Sequence, residues 1–159
     1  GGGTVWHFVH VPYRCYVPIN LQAQRLTCNK QPLDYSTVPS SQLASSNLER
    51  VWFVGIVEAY QASMCLFQAK LGNALPSYCD CTKPELWNSF EGTEKNEMKH
   101  TRELEDFPNE IIELVNELTV IDRQLYKAAR TRFLREIEEV EREHGTQIVC
   151  KELRQKLEA

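Results

Sequence analysis

The stretch Val51-Trp52-Phe53-Val54-Gly55-Ile56-Val57, followed directly by Glu58, is the most informative part of the sequence for the fold. A continuous apolar run of this length is typical of a strand buried on both faces of a parallel sheet. Residues 58–71 then have the spacing of an amphipathic helix, and Gly72 is a stop signal. The residues that face the sheet in this prediction are Ala62, Cys65, Leu66 and Ala69. The order strand, turn, helix is half of an α/β unit and predicts an α/β fold.

The segments before this run predict one more strand and two helices. Residues 4–11 are β-branched and aromatic, and Pro12 ends them, which indicates a strand. Residues 21–27 are compatible with a short helix. Ser40 or Ser41 is a suitable cap for a helix that runs to about Arg50.

The last third of the chain is predicted to be helical. Pro108 suits the first turn of one helix, and Thr119-x-x-Asp122 has a form related to a capping box, so a second helix begins at Thr119. Gly145 ends that helix, and a short helix is expected between residues 147 and 157. The helix that begins at Thr119 has an apolar stripe, which comprises Ile121, Leu125, Ala128, Ala129, Phe133, Ile137 and Val140. We expect Leu125, Tyr126 and Phe133 to anchor this helix in the core. We therefore expect a single domain with an α/β part over residues 1–107 and a helical part over residues 108–159.

Composition excludes several classes of protein. The chain has 159 residues, 42% hydrophobic and 25% charged, which is the balance of a globular domain and not of a collagen or a disordered chain. The formal net charge of −4 gives no reason to expect binding to nucleic acid or to an anionic membrane surface. No apolar run approaches the roughly 20 residues that cross a bilayer, so we expect membrane attachment only through a segment absent from this chain.

The six cysteines indicate structural disulfides in an oxidising lumen. Cys79-Asp80-Cys81 is too tight for a C-x-x-C motif, and no histidine lies near it at zinc-ligand spacing, so we predict no metal site. We expect Cys79 and Cys81 to pair with different partners, or one of them with Cys28. Buried reduced thiols at Cys65 and Cys15 are the alternative.

Two side chains are candidate catalytic groups. His10 lies on the first predicted strand, where a histidine is more often structural. Glu58 follows the buried strand at its carboxyl end, where ligand sites of α/β proteins lie, although an acid there also complements a helix dipole. Lys95, Lys99 and Arg102 form a basic cluster that suits a phosphate or sulfate, while the interspersed glutamates favour a solvated loop.

Four segments, in order, resemble the family of Golgi-type carbohydrate sulfotransferases. The segment Asn20–Leu26 resembles an N-x-Q-x-R-x-L motif, and residues 47–58 resemble "NLE-x-F" followed by "FVGLTE". Ser63 matches the family's E-x-x-x-x-S continuation. Residues 122–133, which read D-x-x-L-Y and then R-F, resemble the closing helix of the family. The similarity covers about residues 19–71 and 108–137.

This resemblance implies a P-loop-like parallel sheet and the transfer of a sulfuryl group to a sugar hydroxyl. The donor in such enzymes is 3′-phosphoadenosine 5′-phosphosulfate (PAPS), and the acceptor is a glycan hydroxyl in the Golgi lumen. Phe8-Val9-His10-Val11-Pro12 resembles the family's first strand, which precedes K-x-x-G-T-S. The basic candidates for cofactor binding are Arg14, Lys95, Lys99 and Arg102.

The chain departs from the family just after Pro12. Tyr13-Arg14-Cys15-Tyr16 stands where the lysine and the glycine-bearing loop belong, and the segment that holds the 3′-phosphate is nearly absent. We therefore expect an incomplete sulfotransferase domain, and we expect that this chain by itself does not transfer sulfate. The alternative from another functional class is a non-catalytic α-helical protein-interaction module that binds through the helices after Pro108.

Overall fold

The computed structural model describes residues 19–27, 38–90 and 106–158. Within these ranges the regular structure is helical, and no strand is present. The helices are α1 (Leu21–Leu26), α2 (Ser41–Arg50), α3 (Tyr60–Lys70), α4 (Pro84–Trp87), α5 (Asn109–Leu118), α6 (Val120–His144) and α7 (Lys151–Glu158). Two 3₁₀ turns, Val57–Ala59 and Ser77–Cys79, precede α3 and α4 respectively.

The predicted α/β fold with a P-loop-like parallel sheet is wrong for the described residues. Residues 51–56, including the expected interior strand Phe53-Val54-Gly55, form an irregular segment that is extended at Ile56 (φ −114°, ψ 124°). Side chains bond to three of its backbone groups: the Ser63 hydroxyl bonds to both the N–H and the carbonyl of Ile56, and the Arg132 guanidinium bonds to the Val51 carbonyl. Because these groups already have partners, they do not form a strand ladder. The other predicted strand, residues 4–11, lies outside the described residues.

The predicted helices are confirmed, with small shifts of their ends. The Ser40 hydroxyl accepts a hydrogen bond from the Leu43 N–H (3.2 Å), so Ser40 caps α2 as expected. Gly72 (φ 75°) follows α3 and Gly145 (φ 63°) follows α6, and both have the left-handed backbone that favours glycine. None of the described helices is long and apolar enough to cross a membrane.

The chain divides into two compact units. The first unit comprises Gly1–Arg50 and Met98–Tyr126, and the second comprises Val51–Glu97 and Lys127–Ala159. In the first unit α1 packs against α2, and the Asn47 side-chain amide donates a hydrogen bond to the Leu26 carbonyl (2.7 Å).

The second unit contains the larger hydrophobic core. Ala62, Cys65 and Leu66 of α3 are fully buried, so the predicted inner face of this helix is correct although it does not pack on a sheet. They cluster with Phe133 and Ile137 of α6. The other fully buried members are Cys79, Ile148 and Val149. Helix-on-helix packing thus replaces the expected sheet core.

Most of the predicted stripe of α6 is buried, and its members Ala128 and Ala129 are half-buried. Leu125 is 4% exposed and Phe133 is fully buried, as expected for core residues. Tyr126 is 40% exposed, so its predicted role as a core anchor is wrong. Tyr126 directly follows Leu125 in the helix, and successive residues of a helix point about 100° apart, so only one of the two faces the core.

Two disulfides confirm that Cys79 and Cys81 pair with different partners. Cys79 bonds to Cys65, and Cys81 bonds to Cys150, with Cα–Cα distances of 5.7 and 5.8 Å. The alternative of a buried reduced thiol is therefore wrong for Cys65. Cys15 and Cys28 lie outside the described residues.

Candidate functional site

Two motifs of the predicted family meet in the first unit, where Asn20 and Asp122 cap each other's helices. The Asn20 Oδ1 atom accepts hydrogen bonds from the N–H groups of Ile121 (2.8 Å) and Asp122 (3.2 Å), in the first turn of α6. The Asp122 carboxylate accepts hydrogen bonds from the N–H groups of Gln22 (3.1 Å) and Ala23 (2.8 Å), in the first turn of α1. The orphan N–H groups of each helix are therefore satisfied by a side chain about a hundred residues away.

This arrangement corrects the predicted capping box at Thr119. The Thr119 hydroxyl donates a hydrogen bond to the Val115 carbonyl (2.7 Å), at the end of the preceding helix. Asp122 acts as a cap, but for α1 and not for its own helix. Asn20 is 5% exposed and has a left-handed backbone (φ 43°), a conformation that asparagine tolerates better than most residues.

Gly55, from the segment of residues 47–58 quoted for the resemblance, and Ser63, from its continuation, hold the irregular segment against α3. The Ser63 hydroxyl is 2.8 Å from the Ile56 nitrogen and 3.0 Å from its oxygen, and the serine is 5% exposed. A Cβ atom added at Gly55 would lie 3.1 Å from the Phe53 ring and 3.2 Å from the Ser63 Cβ. Only glycine therefore fits this close approach without displacement of a neighbour. In the described contacts, Gly55 and Ser63 therefore have a structural role.

A partly buried ion network joins α3 to α6 in the second unit. The Glu136 carboxylate accepts hydrogen bonds from Lys70 (2.8 Å) and Arg132 (2.7 Å), and Arg132 also donates to the Val51 carbonyl (2.7 Å). Burial by itself raises the pKa of Glu136, but the two hydrogen bonds and the two positive charges outweigh it, so the pKa is lower than usual. The carboxylate is thus held ionised as a structural group.

Sequence reasoning did not find this network. A charged run such as residues 130–142, with opposite charges at i, i+4 spacing, is normally an exposed face, whereas Arg132 is 6% exposed. Arg132 lies seven residues after Leu125, and Glu136 lies four residues before Val140, so both share a helical face with core residues. These spacings of seven and four residues from core positions were the signal in the sequence that could have identified the network.

Asp80 lies in the chain between Cys79 and Cys81, each of which belongs to a different disulfide. Hydrogen bonds from Lys83 and Thr82 lower the pKa of Asp80 to about 2. The carboxylate receives the Thr82 hydroxyl at 2.6 Å and the Lys83 ammonium at 2.8 Å. The neighbouring residues 82–86 line an open depression, and the pairing of Lys83 with Asp80 reduces the positive charge there.

Of the sequence-predicted site residues, the structure describes only Glu58. It is exposed on the 3₁₀ turn Val57–Ala59, at the amino-terminal end of α3, where its charge complements the helix dipole. His10, Arg14, Lys95, Lys99 and Arg102 lie outside the described residues.

The buried polar groups of the described residues are all paired. Within residues 19–27, 38–90 and 106–158, every buried side-chain nitrogen and oxygen has a hydrogen-bond partner. In the same ranges no three His, Cys, Asp or Glu side chains are grouped as a metal site requires. No protein-family model, curated protein sequence or solved structure matches the chain.

Proposed function

We propose that this chain is part of a carbohydrate sulfotransferase, which transfers a sulfuryl group from PAPS to a glycan hydroxyl in the Golgi lumen. The reaction and the compartment are those that the sequence resemblance implies. In this reaction the acceptor oxygen attacks sulfur in line while the phosphate–sulfate bond breaks. A base takes the hydroxyl proton, and cations hold the phosphates.

The observation that carries the proposal is that residues quoted for the resemblance contact each other as pairs. Asn20 of the first motif and Asp122 of the last one exchange helix caps. Gly55 and Ser63 also lie close together, although they are only eight residues apart in the chain. Chance matches to two short motifs about a hundred residues apart have no reason to pair in space, so the contact between Asn20 and Asp122 supports the resemblance of these two segments.

The two disulfides support the proposed compartment. Disulfides persist in the secretory pathway and are rare in the reducing cytosol. The proposal assigns the proton acceptor to His10 or Glu58, and the phosphate contacts to Arg14, Lys95, Lys99 and Arg102. The described helices supply scaffold, so the donor loop has to come from a Lys-x-x-Gly-Thr-Ser segment that this sequence lacks after Pro12.

The test compares this chain with the longest reading frame of its transcript. Both proteins are incubated with ³⁵S-labelled PAPS and a panel of desulfated glycosaminoglycans. We expect transfer by a longer protein that carries a Lys-x-x-Gly-Thr-Ser loop, and none by the 159-residue chain. In the active protein, the loss of the base at His10 or Glu58 should lower kcat by about 10²–10⁴-fold. A reading frame without this loop, inactive on every acceptor, would contradict the proposal.

One observation favours the second candidate, a non-catalytic module that binds a protein partner through its helices. Helix α5 contains no buried residue, and its Ile111 is 43% exposed. An inactive full reading frame that co-purifies with a protein partner, and loses it on Ile111→Glu substitution, would favour this candidate. Glu113→Gln, an exposed position on the same helix, is the control.

A further inference from the structure

The two disulfides of the second unit differ in their access to solvent. Cys65 and Cys79 are fully buried within the hydrophobic core. Cys81 and Cys150 are both partly exposed. Thiol–disulfide exchange requires a thiolate to reach a sulfur atom of the bond, so its rate depends on this access. The Cys81–Cys150 bond is therefore the one that an external reductant can reach in the folded protein.

The accessible bond fastens the carboxy-terminal segment to the rest of the second unit. It joins residues 69 positions apart, and the Cys81 N–H donates a hydrogen bond to the Gln147 carbonyl (2.9 Å) beside it. Directly before Cys150, Ile148 and Val149 are fully buried, and Leu157 of α7 is 3% exposed. Detachment of this segment would expose a continuous part of the core.

Non-covalent contacts hold the same segment in register. The Glu141 carboxylate accepts hydrogen bonds from the N–H groups of Ile148 and Val149 (both 2.8 Å) and from Arg154 (3.1 Å). Arg154 also pairs with Glu138 (2.6 Å), which is 60% exposed. Exposed ion pairs of this kind contribute little to stability. These contacts fix the position of the segment, and the covalent bond adds to the burial of Ile148 and Val149 in holding it there.

We propose that Cys81–Cys150 is a redox-sensitive clasp, opened by a dithiol reductant while Cys65–Cys79 stays closed. A thiolate of the reductant attacks one sulfur, the Cys81–Cys150 bond breaks, and the other cysteine leaves as a thiolate. The second thiol of the reductant then resolves the mixed disulfide. The dithiol is oxidised to a disulfide, two electrons pass to the clasp, and Cys81 and Cys150 end as thiols after protonation. Ile148, Val149 and Leu157 become accessible when the segment detaches.

Graded reduction of the native chain tests the first part of the proposal. The protein is incubated with dithiothreitol or with a thioredoxin-class dithiol protein, quenched with an alkylating reagent, and mapped by mass spectrometry. We expect Cys81 and Cys150 to be labelled at least tenfold faster than Cys65 and Cys79, whose labelling requires a denaturant. Equal rates, or faster labelling of Cys65 and Cys79, would overturn the proposal.

Hydrogen exchange of the selectively reduced protein tests the second part. We expect amide exchange over residues 147–158 to rise at least tenfold, together with increased fluorescence of an apolar dye, while α3 exchanges as before. The double variant Cys81→Ser/Cys150→Ser should reproduce this state without reductant. If that variant does not fold, the reduced native chain supplies the same measurement. Unchanged exchange over residues 147–158 would show that the bond is not a clasp, whatever the outcome of the sulfate-transfer assay.

Discussion

The side chain of Asn20 caps the helix that carries Asp122, and the side chain of Asp122 caps the helix that follows Asn20. Each side chain satisfies the second and third N–H groups of the other's helix, at distances between 2.8 and 3.2 Å. In addition, the Asn20 N–H donates to the Leu118 carbonyl (2.8 Å) at the end of α5. One pair of residues therefore determines where two helices begin and how one of them adjoins a third.

We expect Asn20→Ala and Asp122→Ala each to lower the free energy of unfolding by about 1–2 kcal/mol, the usual cost of a lost cap. Asn20→Asp and Asp122→Asn retain an acceptor oxygen and should cost less. Urea unfolding followed by circular dichroism measures the change, with Glu113→Ala on the exposed face of α5 as the control. Because the two residues share one network, the double variant should depart from additivity by at least about 0.5 kcal/mol. Strict additivity would contradict the reciprocal arrangement.

Ser63→Ala should destabilise the second unit by about 1–3 kcal/mol, because it leaves the buried Ile56 N–H without a partner, while the Ile56 carbonyl keeps its hydrogen bond from the Ala59 N–H (3.0 Å). Ser45→Ala, at an exposed position of α2, is the matched control and should have little effect. Gly55→Ala tests the same contact from the other side, since its Cβ would approach the Phe53 ring and Ser63. Unfolding curves for the three variants measure these changes in stability. Wild-type stability of Ser63→Ala would show that the hydrogen bonds from Ser63 to Ile56 are dispensable.

Acid should weaken the protein partly through Glu136. Its pKa is lower in the folded protein than its ordinary value of 4.5, so its stabilising contribution is complete above that value. The contribution is lost as the pH falls through the lower, folded-state pKa. Glu136→Gln should therefore be less stable than the wild type at pH 7 and lose less stability between pH 5 and pH 3. Urea midpoints across this range measure it, and the exposed Glu139→Gln variant should follow the wild type.

Leu125→Ala should cost about 2–5 kcal/mol and Phe133→Ala about 3–5 kcal/mol, since both side chains are buried on the inner face of α6. Tyr126→Ala, at the adjacent but 40% exposed position, should cost clearly less than either. Thermal and urea unfolding of the three variants give the order. A Tyr126→Ala cost equal to that of Leu125→Ala would mean that the tyrosine is part of the core.

The 159-residue chain should not bind 3′-phosphoadenosine 5′-phosphate, the desulfated form of the donor. In the proposed correspondence with the sulfotransferases, Tyr13 stands in place of the phosphate-binding lysine, and Cys15-Tyr16 stands in place of small residues. The loss of several charge-assisted hydrogen bonds, each worth about 1.5–3 kcal/mol, removes useful affinity. Titration calorimetry measures this directly. Micromolar binding would show that Arg14, Lys95, Lys99 and Arg102 suffice, and that the first segment is not degenerate.

The local signals in the sequence were sufficient for the helices and for most of the buried face of α6. Ser40, Gly72 and Gly145 act through their own backbone and their nearest neighbours, so their effects can be read from the sequence. Leu125, Phe133 and Ile137 recur with the period of a helix, which identifies one buried face. The cysteine spacing likewise excluded a direct bridge between Cys79 and Cys81 and predicted separate partners for them.

The tertiary structure decided which partners the backbone groups, the helix ends and the buried charged side chains have. An apolar run such as residues 51–57 suits a buried strand, yet only Val54 and Ile56 of this run are buried, and Val51, Trp52 and Val57 are exposed. The hydroxyl of Ser63 and the guanidinium of Arg132 bond to backbone groups that a neighbouring strand would need. The exchange of caps between Asn20 and Asp122 spans about a hundred residues, beyond the reach of any local pattern. Arg132 had a charged side chain that predicted exposure, yet its partners in space made burial favourable. Periodicity and turn chemistry are properties of neighbours in the chain, whereas the partner of a buried polar group is a property of the folded chain alone.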